Sequence, residues 1–344
     1  MISCTARVMT GAGVLALAAI LGLAGTSAAS AATTGPQNSV VGEGGCGGGA
    51  EIAFGANTSN LWAVGEDQRG DLGYGMAAGT SPAITCLTGG GWEAAFQANT
   101  GDLWTVGQDI HGNWGAPMVA GSSPAITALP GGGYEVAFEG SNGDMWTAGP
   151  DGVTDRGLPM MAGTSPAITA LIGGGYEYAA QGSNGYLWIG DNNDPPFYQN
   201  LAMKAGTSPS MTVLPSGTVE IAFQESNNCL DIIGVGLTRC VAYVRAGSSP
   251  SITAFSDPSN PIVVAFQDWY TGKLDTYMPG AGVYGGYSLQ IMNGTSPSIT
   301  TLPSGQWEIE VQGTNTDLWT QTNGTAPYDL GLGMMTGTSP SISS

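Results

Sequence analysis

The sequence predicts an all-β fold, a seven-bladed β-propeller, because one phrase occurs seven times at a regular interval. The phrase reads Gly-Thr/Ser-Ser-Pro-Ala/Ser-Ile/Met-Thr/Ser, and successive copies lie 42, 42, 43, 41, 47 and 43 residues apart. The copies begin at Gly79, Gly121, Gly163, Gly206, Gly247, Gly294 and Gly337. Glycine supplies 57 of the 344 residues and charged residues only 10%, which indicates many turns. Repeats of about 40 to 50 residues built from short strands are typical of propellers, with one four-stranded blade per repeat.

The first strand of each repeat, the aromatic-Glu strand, is clearest in Trp92-Glu-Ala-Ala-Phe-Gln. Apolar and β-branched residues between Gly-rich loops are typical of a strand. A small residue recurs at its centre, at Ala53, Ala95, Ala137, Ala179, Ala222 and Ala265. Because small side chains suit a crowded position, we expect this strand to lie nearest the propeller axis.

Three further strands complete the repeat. A turn such as Asn99 to Asp102 leads into a Leu-Trp strand, as in Leu103-Trp104, which is hairpin chemistry. A variable loop then leads into a Met strand, and the phrase forms the last turn and the phrase strand. We expect the tryptophans to pack between blades and the methionines to fill the core.

The two ends of the chain predict how the ring closes. The first repeat begins near Val40 without its own copy of the phrase, whereas the seventh copy, Gly337 to Ser343, has no repeat after it. The last copy is therefore expected to pair with the first repeat, so that residues 40–344 form one closed ring. A closed ring has no large exposed edge, which removes an aggregation hazard of open sheets.

The N-terminal residues predict export. Arg7, the apolar run from Val8 to Ala24 and the small residues Ala29-Ser-Ala31 describe a secretory signal peptide at 1–31, followed by a short segment at 32–39. No later stretch reaches the roughly 18 to 20 apolar residues of a membrane-spanning helix. Four cysteines remain, and an even number in an exported chain predicts two disulfides. Three pairings are possible, of which Cys46 with Cys86 and Cys229 with Cys240 are favoured.

The charge argues against several kinds of partner. All 26 acidic residues and six of the seven basic ones follow the signal, which leaves a formal net charge of −20. Nucleic acids and anionic membranes are then disfavoured, because both need clustered Lys and Arg. No cofactor is predicted, and no Cys/His cluster indicates a metal. Asp191 to Asp194 carries oxygen ligands for Ca²⁺, but its spacing is not that of an EF-hand and a solvated turn is favoured.

The strand connections predict where binding residues lie. In an antiparallel blade the chain reverses at each turn, so alternate connections emerge on opposite faces of the disc. The Asn-Thr-Gly-Asp and Gly-Thr-Ser-Pro turns share one face, here named the phrase face. The Gly-rich turns and the loops that differ most between repeats share the other, here named the variable-loop face. Variable loops on a repeated scaffold are the usual place for binding.

On the variable-loop face, aromatic rings are expected beside carboxylates. Trp92-Glu93 should lie near the loop with Asp109, His111 and Trp114, and we align Asp71 and Tyr74 of the first repeat with that loop. Such a ring suits a sugar, whose C–H face stacks on it while the hydroxyls donate to the acceptors. Several weak sites would gain avidity on a surface with many glycans. The candidate binding residues are Tyr74, Trp92, Glu93, Asp109, His111, Trp114, Tyr134, Glu135, Tyr176, Glu177, Trp307 and Glu308.

The recurring glutamates have a structural alternative. Residues repeated in almost every blade usually serve the repeat itself, so the favoured interpretation of these carboxylates is that they cap backbone N–H groups. Catalysis has little support, because a glycosidase needs one asymmetric pair of acids rather than a ladder of them. His111 is the only histidine, so a Ser-His-Asp arrangement would have to use it as the base.

The repeats resemble the secreted propeller lectins of bacteria, including the seven-bladed fucose-binding type. The resemblance rests on Gly-Gly-Gly-Tyr/Trp-Glu, Asn-Thr-Gly-Asp-Leu-Trp and Gly-Thr-Ser-Pro-Ala-Ile-Thr, in tandem over 40–344. It is stronger still for the lectin-like propeller subunits that are thought to aim umbrella-shaped antibacterial toxin particles. Repeats five and six depart from the pattern, since Val219 and Ile262 replace the aromatic residue and Val263 replaces the glutamate.

The resemblance implies a secreted, non-catalytic, carbohydrate-binding protein. Its expected partners are glycans on a cell surface or cell wall, with glycan sites in pockets at or between blades. Association with other subunits of a secreted toxin complex is a further expectation. The alternatives are a protein-interaction platform or inhibitor that uses the acidic face and, less favoured, a glycosidase.

Overall fold

A computed structural model describes residues 46, 49–65, 69–109, 112–234 and 236–344. In these residues it confirms the predicted seven-bladed propeller, with seven antiparallel sheets of four strands each. None of the described residues forms a helix that is long and apolar enough to cross a membrane. The predicted signal peptide, the 32–39 segment and His111 lie outside the described residues.

The strands of each blade are given from the axis outward. Blade 1 contains β28 (Ser341–Ser343), β1 (Glu51–Gly55), β2 (Asn60–Val64) and β3 (Arg69–Gly75). Blade 2 contains β4 (Ala83–Cys86), β5 (Trp92–Gln97), β6 (Asp102–Gly107) and β7 (Gly112–Pro117). Blade 3 contains β8 (Ala125–Ala128), β9 (Tyr134–Glu139), β10 (Asp144–Gly149) and β11 (Gly152–Pro159). Blade 4 contains β12 (Ala167–Ala170), β13 (Tyr176–Gln181), β14 (Tyr186–Asp191) and β15 (Phe197–Ala202).

The remaining three blades follow the same order. Blade 5 contains β16 (Ser210–Val213), β17 (Val219–Gln224), β18 (Leu230–Ile233) and β19 (Leu237–Thr238). Blade 6 contains β20 (Ser251–Asp257), β21 (Asn260–Gln267), β22 (Leu274–Met278) and β23 (Gly282–Tyr284). Blade 7 contains β24 (Ser298–Thr301), β25 (Trp307–Gln312), β26 (Asp317–Thr322) and β27 (Tyr328–Gly333).

The expectation that the aromatic-Glu strand is innermost is wrong. The phrase strands line the axis, because each of them contacts the phrase strands of the two neighbouring blades. The small residues of the aromatic-Glu strand have another cause. Ala95 packs in one cluster with Tyr134 and Phe138 of the next blade. Crowding at this position therefore comes from the adjacent sheet and not from the axis.

Each residue of the phrase has a defined structural role. The first glycine has a positive φ, from 76° to 85° across the seven copies, a region that favours glycine. The next Thr or Ser is buried, and in six copies its hydroxyl donates to the carbonyl three residues earlier, as Thr80 does to Ala77 at 2.9 Å. Pro at the fourth position removes a backbone donor ahead of the strand.

The third residue of the phrase, serine, forms a closed ring of hydrogen bonds around the axis. The N–H of Ser81 donates to Oγ of Ser123 at 2.9 Å, and the same bond links each copy to the next at 2.8 to 3.2 Å. The chain of donors runs through Ser81, Ser123, Ser165, Ser208, Ser249, Ser296 and Ser339, and Ser339 donates back to Ser81. The serine ring ties all seven blades together at the phrase face.

The predicted closure of the propeller is confirmed. Strand β28 pairs antiparallel with β1, with Ile342 opposite Ile52, and supplies the innermost strand of blade 1. The N–H groups of Ile84 and Cys86 in blade 2 donate to hydroxyls of β28 at 3.1 and 3.0 Å. The last strand is thus held on both sides.

Both favoured disulfides are present, Cys46–Cys86 and Cys229–Cys240. The first joins the segment ahead of β1 to the innermost strand of blade 2, and so reinforces the closure. The second closes a loop within blade 5. The methionine and tryptophan predictions are also confirmed, because Met76, Met118, Met160, Met203 and Met334 are buried and the Leu-Trp tryptophans pack in clusters that span two blades.

One buried carboxyl replaces a repeated amide. The aromatic-Glu strand ends in a buried glutamine in five blades, and Gln267 donates to the carbonyls of Gly272 and Ile291 at 3.0 and 2.9 Å. Blade 3 has Glu139 at this position, buried, and burial raises its pKa to about 7. A carboxylate cannot donate to a carbonyl.

We therefore expect Glu139→Gln to stabilise the protein by about 1 to 3 kcal/mol at pH 8. Because the pKa of Glu139 is raised from 4.5 in the folded state, wild-type stability falls as the pH rises from 4.5 to 7. The gain should therefore shrink towards zero near pH 4.5. Urea unfolding at both pH values measures it, with the exposed Asp194→Asn as control. An equal gain at pH 4.5 and pH 8 would contradict this account.

Candidate functional site

The variable-loop face brings several of the predicted residues together. In blade 2, the N–H of Gln108 donates to the carbonyl of Trp92 at 2.9 Å, and the N–H of Asp109 donates to Oε2 of Glu93 at 3.0 Å. The loop after the Leu-Trp strand therefore folds onto the start of the aromatic-Glu strand, as the strand directions predict.

The repeated glutamates are mostly buried beneath this loop. Glu51, Glu93, Glu135 and Glu220 are buried. Each lies against a glycine at the end of the paired strand or directly after it, where a Cβ would come within 3 Å of the carboxylate. Burial raises the pKa of Glu93 to about 8, opposed by its bond from the Asp109 N–H and assisted by the charge of Asp109. Glu93 accepts a backbone N–H as a cap does, and its burial keeps it from acting on a substrate in this conformation.

The two remaining glutamates of the series are half-buried. Glu177 lies opposite Asp191, where the other blades mostly have glycine, and burial followed by the Asp191 charge raises the pKa of Glu177. Glu308 accepts a hydrogen bond from the Thr322 hydroxyl at 3.0 Å. These are the candidate glutamates that solvent reaches most easily.

The aromatic residues that precede the glutamates lie between blades. Trp92, Tyr134, Tyr176 and Trp307 are all buried. Each packs against the outer strands of the preceding blade, so their faces are covered in this conformation. Solvent reaches side chains beside these rings, because Trp114 beside Tyr134 and Arg156 beside Tyr176 are half-buried. The junction around each ring is here named the inter-blade cleft.

The cleft between blades 2 and 3 centres on Thr105. Its hydroxyl lies 2.8 Å from the Tyr134 hydroxyl and accepts the indole N–H of Trp114 at 3.0 Å. Trp114 is half-buried and meets Tyr134 edge to face, with ring centroids 6.4 Å apart. Asp109 lies exposed at the rim, and its carbonyl is 3.4 Å from the Tyr134 hydroxyl. The structure thus unites four sequence-predicted residues: Trp114, Tyr134, Asp109 and the buried Glu93 below.

The cleft between blades 3 and 4 has the same plan but carries a cation. Arg156 takes the register of Trp114 and donates to the Thr147 hydroxyl from Nε and Nη2, at 3.0 and 2.8 Å. It also donates to the Tyr176 hydroxyl and lies over that ring, 5.5 Å from its centroid. Glu135 interacts with the same Tyr176 and Thr147 hydroxyls; burial raises its pKa, while these contacts and the Arg156 charge oppose the rise.

The cleft between blades 6 and 7 is a third version. The Tyr287 hydroxyl lies 3.3 Å from that of Thr276, and the Tyr287 ring meets Trp307 edge to face at 6.1 Å. Asp275, next to Thr276, is buried, and burial followed by the Asp268 charge raises its pKa to about 7. Arg156, Tyr287 and the threonines Thr105, Thr147 and Thr276 are not among the residues predicted from the sequence. Arg156 lies 42 residues after Trp114, so the repeat spacing itself could have found it.

The alignment of Tyr74 with Trp114 is wrong. The strand registers place Leu72 at the position of Trp114, and Tyr74 at that of Ala116. Asp71 matches Asn113 rather than Asp109, and its carboxylate accepts the N–H of Gly73 at 2.7 Å to shape a bulge. Tyr74 packs among aromatic side chains, with centroids about 6 Å from Phe96 and Trp104. Its role in binding stays a prediction.

No group of three or more potential metal ligands is found among the described residues. The Asp191 carboxylate accepts the N–H groups of Asn193 and Asp194 at 2.6 and 2.7 Å. These bonds use a carboxylate oxygen to shape the turn itself.

Comparison with known proteins bears on the fold. No protein-family model matches the chain, and no curated protein matches it. A fungal lectin from Aleuria aurantia, described as a six-bladed propeller with a novel fucose recognition mode, is 13% identical, with a TM-score of 0.52 over 74% of this chain and 95% of the lectin. AofleA from Arthrobotrys oligospora is 13% identical, with a TM-score of 0.55 over 85% and 92%.

An enzyme is also among the similar structures. Virginiamycin B lyase from Staphylococcus aureus is 13% identical, with a TM-score of 0.52 over 81% of this chain and 86% of the lyase. At these identities the likeness shows the propeller fold alone. The chain is therefore similar in fold both to lectins and to an enzyme.

Proposed function

We propose that this chain is an exported, non-catalytic, carbohydrate-binding propeller. The proposal rests on the inter-blade clefts, above all the one between blades 3 and 4. There the half-buried Arg156 guanidinium meets the buried Glu135 carboxyl and the buried Tyr176 and Thr147 hydroxyls, beside the exposed Asp151. The guanidinium of Arg156, held in place by its hydrogen bonds, and the exposed carboxylate of Asp151 suit the closely spaced hydroxyls of a sugar.

The ligands of similar structures support the choice of carbohydrate. Besides the Aleuria aurantia lectin, SapL1 lectin is described in complex with alpha methyl fucoside, and this chain matches it with a TM-score of 0.54 at 14% identity. Fucosylated glycans are thus the first ligands to try. The two disulfides support export, because disulfides persist in oxidising compartments.

The non-catalytic part of the proposal rests on the buried acids. Glu93 has a raised pKa, as a general acid needs, but it is fully buried and bonded to the loop backbone. A role as the targeting subunit of a secreted antibacterial complex belongs to the same proposal. It would place glycan recognition on the variable-loop face and leave other surfaces for the partner subunits.

The test is glycan-array binding followed by calorimetry with the best glycan and with methyl α-fucoside. We expect Arg156→Ala to weaken binding about tenfold at the cleft between blades 3 and 4, since a charge-assisted hydrogen-bond donor is lost there. Gln199→Ala is the matched control, because Gln199 takes the same register in blade 4, where Ile189 and Val219 replace the threonine and the aromatic residue. It should leave binding unchanged.

Two results would count against the proposal. One is the absence of binding to any glycan together with a tight protein partner that survives high salt and free sugar, which would favour the interaction platform. The other is turnover of a glycoside that a single Glu→Gln change on this face abolishes, which would favour a glycosidase.

A further inference from the structure

The phrase face departs clearly from its repeat between blades 5 and 6. The hairpin after the aromatic-Glu strand is closed in the other blades by a bond such as Ala98 N–H to the Asp102 carbonyl. In blade 6 the corresponding bond joins Asp268 to Lys273, so this loop is one residue longer. The longer loop carries Trp269 and Tyr270, whose side chains are 38% and 77% exposed.

A third ring from blade 5 joins these two. The N–H of Trp269 donates to the carbonyl of Tyr243 at 3.0 Å, and the Tyr243 and Tyr270 rings meet edge to face with centroids 6.5 Å apart. Tyr243 is 47% exposed. The same backbone bond in other blades is accepted by Gly75, Pro117, Pro159, Ala202 and Gly333. Exposed aromatic rings therefore replace small residues at this one junction.

The loop that presents the rings is fixed by its own hydrogen bonds. The Asp268 carboxylate accepts the N–H groups of Tyr270 and Thr271 at 3.1 and 2.7 Å, and the Thr271 hydroxyl at 2.7 Å. These hydrogen bonds shape the loop, and the carboxylate keeps its negative charge. Rings held in this way lose little conformational freedom when a ligand stacks on them.

Positive charge gathers at the same junction of an otherwise acidic chain. The Arg245 guanidinium lies against Gly272, 3.0 Å from where a Cβ would stand, and Oε1 of Gln290 lies 3.5 Å from the same point. Lys273 follows Gly272, and its backbone pairs with that of Gln290 in a β-bridge. It takes the register that Asp102, Asp144 and Asp317 occupy in other blades. Two of the chain's seven basic residues thus belong to this junction, together with the acidic Asp268, whereas the chain has 26 acidic residues overall.

We propose that this junction, formed by Tyr243, Arg245, Trp269, Tyr270, Lys273 and Gln290, is a second binding site that takes an anionic saccharide. The rings offer stacking surfaces for sugar C–H groups, while Arg245 and Lys273 pair with a carboxylate, sulfate or phosphate on the ligand. This site lies on the face opposite the inter-blade rims and stands whether or not those clefts bind glycan. One molecule could then hold two saccharides of different charge on its two faces.

Biolayer interferometry with immobilised polygalacturonate, dextran sulfate, a phosphomannan and neutral dextran tests the proposal. We expect binding to at least one anionic polysaccharide and none to dextran, with affinity that falls as salt rises. Trp269→Ala/Tyr270→Ala and Arg245→Ala should each weaken it at least tenfold. The three anionic arms separate carboxylate, sulfate and phosphate as the group recognised.

Lys204→Ala is the matched control, because Lys204 takes the register of Arg245 one blade earlier on the same face. It should change the dissociation constant less than twofold, and Arg156→Ala on the opposite face should leave it unchanged. Equal losses in Lys204→Ala and Arg245→Ala would show diffuse charge attraction and overturn the site. Three other results would also overturn the site. They are unaltered binding by the Trp269→Ala/Tyr270→Ala variant, no binding to any of the three anionic polysaccharides, and binding of an acidic protein instead of a polysaccharide. Thermal unfolding of each variant confirms that these exposed changes leave the fold intact.

Discussion

Deletion of residues 337–344 is expected to abolish the stable ring. It removes β28, and with it the ladder to β1, the buried side chain of Ile342 and both serine-ring bonds made by Ser339. The lost burial and hydrogen bonds are worth about 5 kcal/mol or more, a large part of the stability of a typical domain. The exposed edge of β1 should also promote aggregation.

The measurement is thermal unfolding followed by circular dichroism, together with size-exclusion chromatography. The deleted chain should elute as aggregates or lose about 10 °C or more of its Tm. A chain with a short Gly-Ser tail after Ser344 is the control and should behave as wild type. A deleted chain that elutes as a monomer with an unchanged Tm would show that β28 does not hold the ring closed.

The second large effect is expected at Glu310, a buried acid next to the closure. It occupies the register of Ala95 and its counterparts, which face the following blade, so in blade 7 it faces blade 1. Glu310 is fully buried, and Thr320 on the paired strand is its polar neighbour, although neither carboxylate oxygen makes a hydrogen bond of good geometry. Burial holds its pKa well above the usual value, and the Glu308 charge adds to the rise.

Glu310→Gln should therefore stabilise the protein increasingly as the pH rises. A folded-state pKa above the unfolded value means that wild-type stability falls once the pH exceeds about 4.5, whereas glutamine does not ionise. At pH 8 the gain should reach about 2 to 4 kcal/mol, and at pH 4 it should vanish. Denaturant unfolding across this range measures it, with half-buried Glu308→Gln as the control from the same strand. Parallel stability curves for wild type and Glu310→Gln would refute the prediction.

Much of the fold could be predicted because the same strand pattern recurs in every repeat. Seven copies of one phrase specify the number of blades, and the missing copy in the first repeat specifies the closure. The strand next to the axis could not be predicted from alanines. A small residue reports crowding, but Ala95 is crowded by Tyr134 and Phe138 of a neighbouring blade, and a linear sequence does not say which sheet will face it.

The candidate site was predictable in outline only. Strand direction placed Glu93 beside Asp109, since the two connections share a face. Sequence pattern could not show that Glu93 and the aromatic ring before it are covered, because burial depends on how blades pack. Side-chain type did not single out Arg156, since an arginine does not resemble a tryptophan, and only its 42-residue spacing from Trp114 points to it. The Tyr74 error was avoidable, because the 42-residue spacing of the first two phrases already pairs Tyr74 with Ala116 rather than with Trp114.

The serine ring and the paired terminal strands have a consequence for protein engineering. Since Glu51 lies opposite Ser343 in one ladder, the two ends of the propeller meet within a single blade. A short linker could join them, and new ends could be opened in a variable loop of another blade without removing any bond of the serine ring. Such circular permutants should fold to the same ring, because every phrase donates to the next wherever the chain is cut.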